Sequence, residues 1–203
     1  MKIIKDIEQG TPEWFTIRSG KMTASHAQAI GNVGKGLETY IYDLVAEEYS
    51  SAEKEQFSNE HTERGNELES TARGIYELEN MVDVNQVTFV EYNDYVGCSP
   101  DGLVGEDGLI EIKCPNDTEY LKYLIFGEEQ IDTKYIWQCQ MQMLVTDRKW
   151  NDLIIYNPNF NKSMLVFRIN PDKEMFEKLL NGFEVGKNKK LEIKEKLKTY
   201  ELK

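Results

Sequence analysis

The chain has little of what builds a soft-metal or disulfide centre. Its 203 residues include only 3 cysteines and 2 histidines. Cys98, Cys114 and Cys139 are odd in number and none stands in a CxxC pair, so a four-cysteine iron–sulfur cluster within one chain is excluded and a zinc site is disfavoured. Reduced, mostly buried thiols are expected. Positive charge is also scarce: 24 Lys and Arg against 36 Asp and Glu give a net charge of −12. Such a balance argues against indiscriminate coating of nucleic acid but leaves room for a local basic groove. No apolar run approaches the roughly 20 residues of a spanning helix, and the N-terminus lacks a charged-then-apolar signal pattern. The expectation is a soluble cytoplasmic protein with no membrane partner.

What is present is ordinary in bulk and uneven in distribution. A hydrophobic content of 40% and a length of 203 residues suffice for one sizeable core. The lysine-rich stretch from Gly186 to Lys203 sets seven lysines against three glutamates. It reads first as the solvated face of a terminal helix and second as a nucleic-acid contact. Thr11-Pro12-Glu13 opens a helix, Thr23-Ala24-Ser25 caps a short one, and the glycine-rich residues 31–36 read as a mobile loop without phosphate-loop spacing. Longer helices are expected over 37–49, 59–80, 117–126 and from Asp132 or Thr133 through Leu144, with a polar connector at 50–59. Strands are expected at 84–92, 95–98, 103–104, 109–113, 150–156 and 164–169. A final helix from Pro171 has breaks expected at Gly182 and Gly186. The pattern predicts one α/β domain over 1–203, a mixed central sheet flanked by helices, with a basic helical segment from about 186 to 203.

The stretch Cys98-Ser99-Pro100-Asp101-Gly102-Leu103 to Leu109-Ile110-Glu111-Ile112-Lys113-Cys114-Pro115 concentrates the chemistry. Ser-Pro-Asp-Gly forms a turn in which Gly102 accepts positive φ. On the following strand Glu111 and Lys113 share one face, and Ile110 and Ile112 the other. With the isoleucines toward a core, Asp101, Glu111 and Lys113 converge. Oxygen-rich acids suit a hard divalent cation such as Mg²⁺, with Mn²⁺ as a substitute. Asp101, Glu111 and the Ile112 carbonyl are the candidate metal ligands. Glu69 completes the shell directly or through water, with Gly65 one turn below it. Lys113 would orient an attacking water, and a phosphodiester is the bond that best uses the set. Gln138 and Gln140 lie two apart on a helix, so one of them at most faces a given site.

Taken in order, several segments form a constellation: Trp14-x-x-x-Arg18-x-Gly20-x-x-Thr23-Ala24-Ser25, Arg64-Gly65-x-x-x-Glu69-x-x-Ala72, the Ser-Pro-Asp-Gly turn, the Glu-Ile-Lys strand and Gln138-x-Gln140. This constellation resembles the lambda-exonuclease (YqaJ-like viral recombinase) family of the PD-(D/E)xK nuclease superfamily. The resemblance implies a restriction-endonuclease-like core. It also implies Mg²⁺-dependent 5′→3′ resection of linear double-stranded DNA, in a phage or prophage protein shaped as a ring trimer that serves a single-strand annealing partner. By resemblance Asp101 and Glu111 are metal acids, with Glu69 and Ile112 completing the site. Lys113 is the catalytic lysine, and Gln140 positions the water or the lysine. Arg18 and Ser25 grip the 5′ phosphate. Lys35, the lone cation between Ser25 and Leu37, and Gln138 are further candidate DNA contacts. An endonuclease or repair nuclease of the same superfamily, and a non-catalytic DNA-end-binding module, are the alternatives.

Overall fold

The computed structural model of the chain describes residues 1–7, 9–50 and 60–200, with backbone alone for 60–66. Except for Ser50, the connector expected at 50–59 lies outside these residues, as does the side chain of Arg64. The first half runs β1 (Lys2–Ile4), α1 (Pro12–Arg18), β2 (Met22–Thr23), α2 (Ala27–Asn32), α3 (Lys35–Tyr49) and α4 (Glu60–Asn80). Strands β3 (Val84–Asn85), β4 (Phe89–Asn93), β5 (Val96–Cys98), β6 (Gly102–Val104) and β7 (Gly108–Lys113) follow. The chain continues through α5 (Asp117–Phe126), α6 (Thr133–Thr146), β8 (Trp150–Tyr156), β9 (Met164–Ile169) and α7 (Lys173–Leu197). Helix starts are capped as their residue types dictate. Thr11, Asn116, Asp132 and Asp172 each accept a hydrogen bond from a first-turn N–H.

Two mixed sheets carry the strands. The larger has the order β3-β6-β7-β8-β9, with β7 and β8 parallel and the other pairs antiparallel. The smaller has the order β1-β4-β5-β2, with β2 parallel to β5. A parallel pair needs a crossover, and α5 and α6 supply it between β7 and β8. Helix α4 covers one face of the larger sheet, setting Ala72 and Tyr76 against Ile110, Ile112 and Ile154. The Tyr76 hydroxyl donates to Asp152 on β8 at 2.6 Å, which fixes the helix along the sheet. The opposite face takes Tyr120 and Tyr123 of α5 and Cys139 of α6. The other side of α6 joins α2, α3, α7 and the smaller sheet through Trp137, Met141, Ile41 and Phe183. Strand β7 is therefore covered on both faces. The isoleucines face a core as expected, but so does Glu111, which is only 2% exposed.

Three glycine readings change. Gly102 is not a left-handed turn residue; positive φ falls at Gly105 in the next reversal. A Cβ on Gly102 would lie 2.1 Å from Val84 Cγ1, so its role is to let β3 approach β6. Helix α7 does not break at Gly182 or Gly186. A Cβ at 182 would stand 2.1 Å from the Ile30 carbonyl oxygen, so the missing side chain lets α7 lie against α2. The expected mobile loop at 31–36 also shrinks. Helix α2 reaches Asn32 and α3 starts at Lys35, leaving Val33 and Gly34 as the link.

Candidate active site

Strand β6 pairs with β7 only from Gly102 opposite Ile110 to Val104 opposite Gly108. Glu111, Ile112 and Lys113 run past its end, so an N–H on that edge needs another acceptor. Asp101 supplies it: its Oδ2 accepts from the Ile112 N–H at 2.6 Å. A turn acid is thereby pinned beside the strand that carries the second acid.

Glu111 is the hub. Its Oε1 accepts from Lys113 Nζ at 2.5 Å and from Gln138 Nε2 at 2.6 Å, and its Oε2 accepts from Gln142 Nε2 at 2.6 Å. A buried carboxylate requires this density of donors. Gln138 and Gln142 are four residues apart on α6, so they stand one above the other on a single face. Lys113 also lies 5.0 Å from the centre of the Tyr135 ring. Gln140 is elsewhere. Its Nε2 donates to the Asn170 carbonyl at 2.8 Å and its Oε1 accepts from the Asp172 N–H at 2.9 Å, so it ties α6 to the start of α7. The structure brings Gln138, not Gln140, to Glu111. The core packing of Trp137 and Met141 sets the rotation of α6 that decides this.

Burial, followed by the charges of Glu111 and Glu69, pushes the Asp101 carboxyl well above the usual carboxylate range. Burial also raises Glu69, with Glu111 adding to it and Arg73 opposing. Desolvation works against the Lys113 ammonium, but Glu111 and Asp101 outweigh it and hold its pKa above the ordinary lysine value. Three acids thus face two cations, Lys113 and Arg73, and the cluster keeps an excess of negative charge. Glu69 is turned toward Arg73, whose Nη2 donates to it at 2.5 Å while Nε donates to the Asp101 carbonyl at 3.2 Å. With its amide oxygen turned inward, Gln86 accepts from the same guanidinium at 2.8 Å. Sequence reasoning missed Arg73, Gln142 and Asn151. Gln142 and Arg73 left the same kind of signal, a four-residue spacing from Gln138 and from Glu69.

The N-terminal candidates gather around the same turn. Arg18 Nη1 donates to the Ser99 hydroxyl at 3.2 Å, two residues before Asp101, and its guanidinium lies 4.0 Å from the Trp14 ring centre. Burial lowers its pKa from the ordinary arginine value. Among the described residues no carboxylate lies within ion-pair distance of Arg18. Ser25 is exposed, with its hydroxyl 3.2 Å from both Thr23 Oγ1 and His26 Nδ1. The His26 ring stacks on Tyr40 at 3.9 Å, and burial and then the Arg18 charge lower its pKa. Lys35 is exposed at the first position of α3. The lysines of α7 pair with glutamates: Lys187 with Glu184, Lys189 with Glu38, Lys190 and Lys194 with Glu48, and Lys196 with Glu192. With Lys190 buried, these pairs make part of the stretch a structural tie and leave less of it free for a nucleic-acid contact.

Among the described residues no three Asp, Glu, His or Cys side chains are arranged to hold an ion by themselves. The residues nevertheless suit a divalent cation. Asp101 and Glu111 are hard oxygen donors in a buried cluster of excess negative charge, and Glu69 is engaged by Arg73.

A mixed sheet with an acid in the turn before β6, Glu-x-Lys on β7 and helices on both faces defines the PD-(D/E)xK nuclease fold. The chain belongs to the YqaJ-like viral recombinase domain family, whose model matches residues 13–149. It is similar to the alkaline exonuclease LHK-Exo of Laribacter hongkongensis. Identity is 30% over 93% of this chain and 97% of that one, with a TM-score of 0.84. A second structure of that enzyme, in complex with dAMP, matches at a TM-score of 0.83. A phage-related exonuclease from Haemophilus somnus 129PT shares the fold at 16% identity and a TM-score of 0.69, over 87% of this chain and 96% of that one. No curated protein matches the sequence. Among the described residues no helix is long and apolar enough to cross a membrane.

Proposed function

We propose that the chain, acting as one nuclease domain, is a Mg²⁺-dependent exonuclease that resects linear double-stranded DNA from the 5′ end. The observation that carries this reading is the Glu111 hub, where a buried acid beside Asp101 bears both a lysine and a glutamine. A divalent cation held by Asp101, Glu111 and the Ile112 carbonyl would draw charge from the scissile phosphate and acidify a water. Strand geometry supports the carbonyl's part, since a residue's C=O leaves on the same edge as its N–H and the Ile112 N–H faces Asp101. Lys113 donates to the phosphate oxygen as negative charge grows there and holds the attacking water in line. Gln138 shares Glu111 Oε1 with Lys113 and keeps the ammonium in register. Glu69 acts through water, with its carboxylate held by Arg73. Arg18, in no ion pair with a described carboxylate, offers its fork to a terminal phosphate, and Ser25 adds a hydroxyl donor.

Attack by water breaks the P–O3′ bond and releases a 5′-mononucleotide, the chemical class of the dAMP bound by the Laribacter hongkongensis relative. Family membership further supports a ring-shaped trimer that hands the exposed strand to an annealing protein in a phage or prophage setting. Lys35 would contact the duplex, and Mn²⁺ would replace Mg²⁺. The test is digestion of end-labelled duplexes bearing 5′-phosphate, 5′-hydroxyl or blocked ends, beside closed circular DNA, with Mg²⁺ or EDTA. Loss of label from free 5′-phosphate ends only, abolished by EDTA, is expected. Equal cutting of closed circles would make the protein an endonuclease of the same fold.

A further inference from the structure

Behind Glu111 lies a short chain of buried amides that the reaction outlined above does not use. Gln142 Nε2 donates to Glu111 Oε2 at 2.6 Å, and Asn151 Nδ2, from β8, donates to Gln142 Oε1 at 2.7 Å. Both amides are fully buried, at 0% exposure. Asn151 Oδ1 has no hydrogen-bond partner.

The orientation of both amides follows from the carboxylate. An ionised glutamate only accepts, so Gln142 must turn its nitrogen toward Glu111 and its oxygen toward Asn151. Asn151 must then turn its nitrogen toward Gln142, which leaves its own oxygen unmatched. A leucine at 151 would have nearly the same shape and remove the unmatched oxygen, but it would also take the donor from Gln142 Oε1, and Gln142 would then be free to flip. A flipped Gln142 would present a carbonyl to the Glu111 carboxylate and repel it. The asparagine therefore fixes which end of Gln142 meets Glu111, and Gln142 fixes the Glu111 carboxylate.

We infer that Gln142 and Asn151 are positioning residues that lock the Glu111 carboxylate in the orientation needed to share a divalent cation with Asp101. The inference rests on the nuclease reading above and deepens it. Partners behind a metal ligand are commonly worth about 10–100-fold in metal affinity or activity. A merely structural pair would move stability and leave metal affinity alone.

The test measures Mn²⁺ binding by calorimetry on the whole chain without DNA, and the Mg²⁺ concentration giving half-maximal cleavage. It uses wild type, Gln142→Leu, Gln142→Met and Asn151→Leu, with the thermal midpoint of each recorded. Both Gln142 variants are expected to weaken Mn²⁺ and raise the Mg²⁺ midpoint by about 10–100-fold, with the rate largely restored at saturating Mg²⁺. Asn151→Leu is expected to shift both in the same direction by a smaller factor, with little change in thermal midpoint, because one unmatched buried oxygen replaces another. A folded Gln142→Met that binds Mn²⁺ within twofold of wild type overturns the inference, as does a fall in maximal rate at an unchanged metal midpoint. Should Gln142→Leu fail to fold, Gln142→Met and Asn151→Leu decide alone. Wild type that neither binds divalent ions nor cleaves DNA overturns the nuclease reading itself, and the inference with it.

Discussion

Two acid–lysine clusters built from the same residue types sit in different parts of the molecule. At the junction of α3 and α7, Glu48 meets Lys190 at 2.7 Å and Lys194 at 2.7 Å, and Lys190 also donates to the Gly20 carbonyl. At the end of β7, Glu111 meets Lys113 at 2.5 Å, with Asp101 and Glu69 nearby. In the first, two ammonium groups outweigh the burial of Glu48 and hold its pKa below the usual range. In the second, three acids share one ammonium and the Arg73 guanidinium, and Asp101 and Glu69 are still pushed up. A burial-tolerant ion pair is common to both, and the sign of the surplus charge separates them. The first is a finished structural tie; the second keeps a surplus of acid that the proposed cation would offset.

The largest effect that sharpens this contrast is at the second cluster. Lys113→Ala should lower the single-turnover rate on end-labelled linear duplex by about 10²–10⁴-fold while duplex binding persists. Undiminished cleavage would erase the distinction between the clusters. Next comes the glutamine pair. Gln138→Leu should slow cleavage by roughly 10–100-fold, whereas Gln140→Leu should leave the rate at saturating Mg²⁺ near wild type and instead lower stability by about 1–2 kcal/mol, read by urea unfolding. Lys190→Met should destabilise by about 1–3 kcal/mol in the same assay, because it strips a buried partner from Glu48 while Lys194 stays. Its Mg²⁺ midpoint should not move.

The last effect concerns pH. Asp101 and Glu69 are raised in the folded chain, so folding takes up protons and apo stability falls as pH climbs from the unfolded-state carboxylate values toward the folded ones. A cation competes with those protons. Stabilisation by Mg²⁺ in calorimetry should therefore grow with pH, to about 1–3 kcal/mol at saturating metal. Equal stabilisation at pH 5 and pH 8 would put the ion somewhere other than these acids.

The hairpin chemistry was legible because it is local. Asp101, Glu111 and Lys113 converge by strand alternation and one turn, which spacing alone specifies. The caps of α1, α5, α6 and α7 were legible for the same reason. Gln138 and Gln140 differ by about 200° around a helix, so spacing shows that only one faces Glu111. Which one depends on Trp137 and Met141 docking in a core formed by distant residues. Gly182 and Gly186 read as helix breakers from propensity, yet contact with Ile30 and Met22 overrides it. Asn151 carried no signal at all, because its meaning lies in a partner on another element.

The bond from Lys190 to the Gly20 carbonyl spans 170 positions of chain. It meets the same short turn that leads out of Arg18, whose carbonyl accepts from the Lys21 N–H. Closing so long a loop is a late and slow event, since its entropy is lost before the contact forms. The turn after Arg18 thus gains this support only when the last long helix docks. During synthesis, a chain that has emerged through β9 carries every acid of the centre but not this tie. If Arg18 grips the terminal phosphate as proposed, such a chain would lack a supported grip on DNA ends until α7 docks.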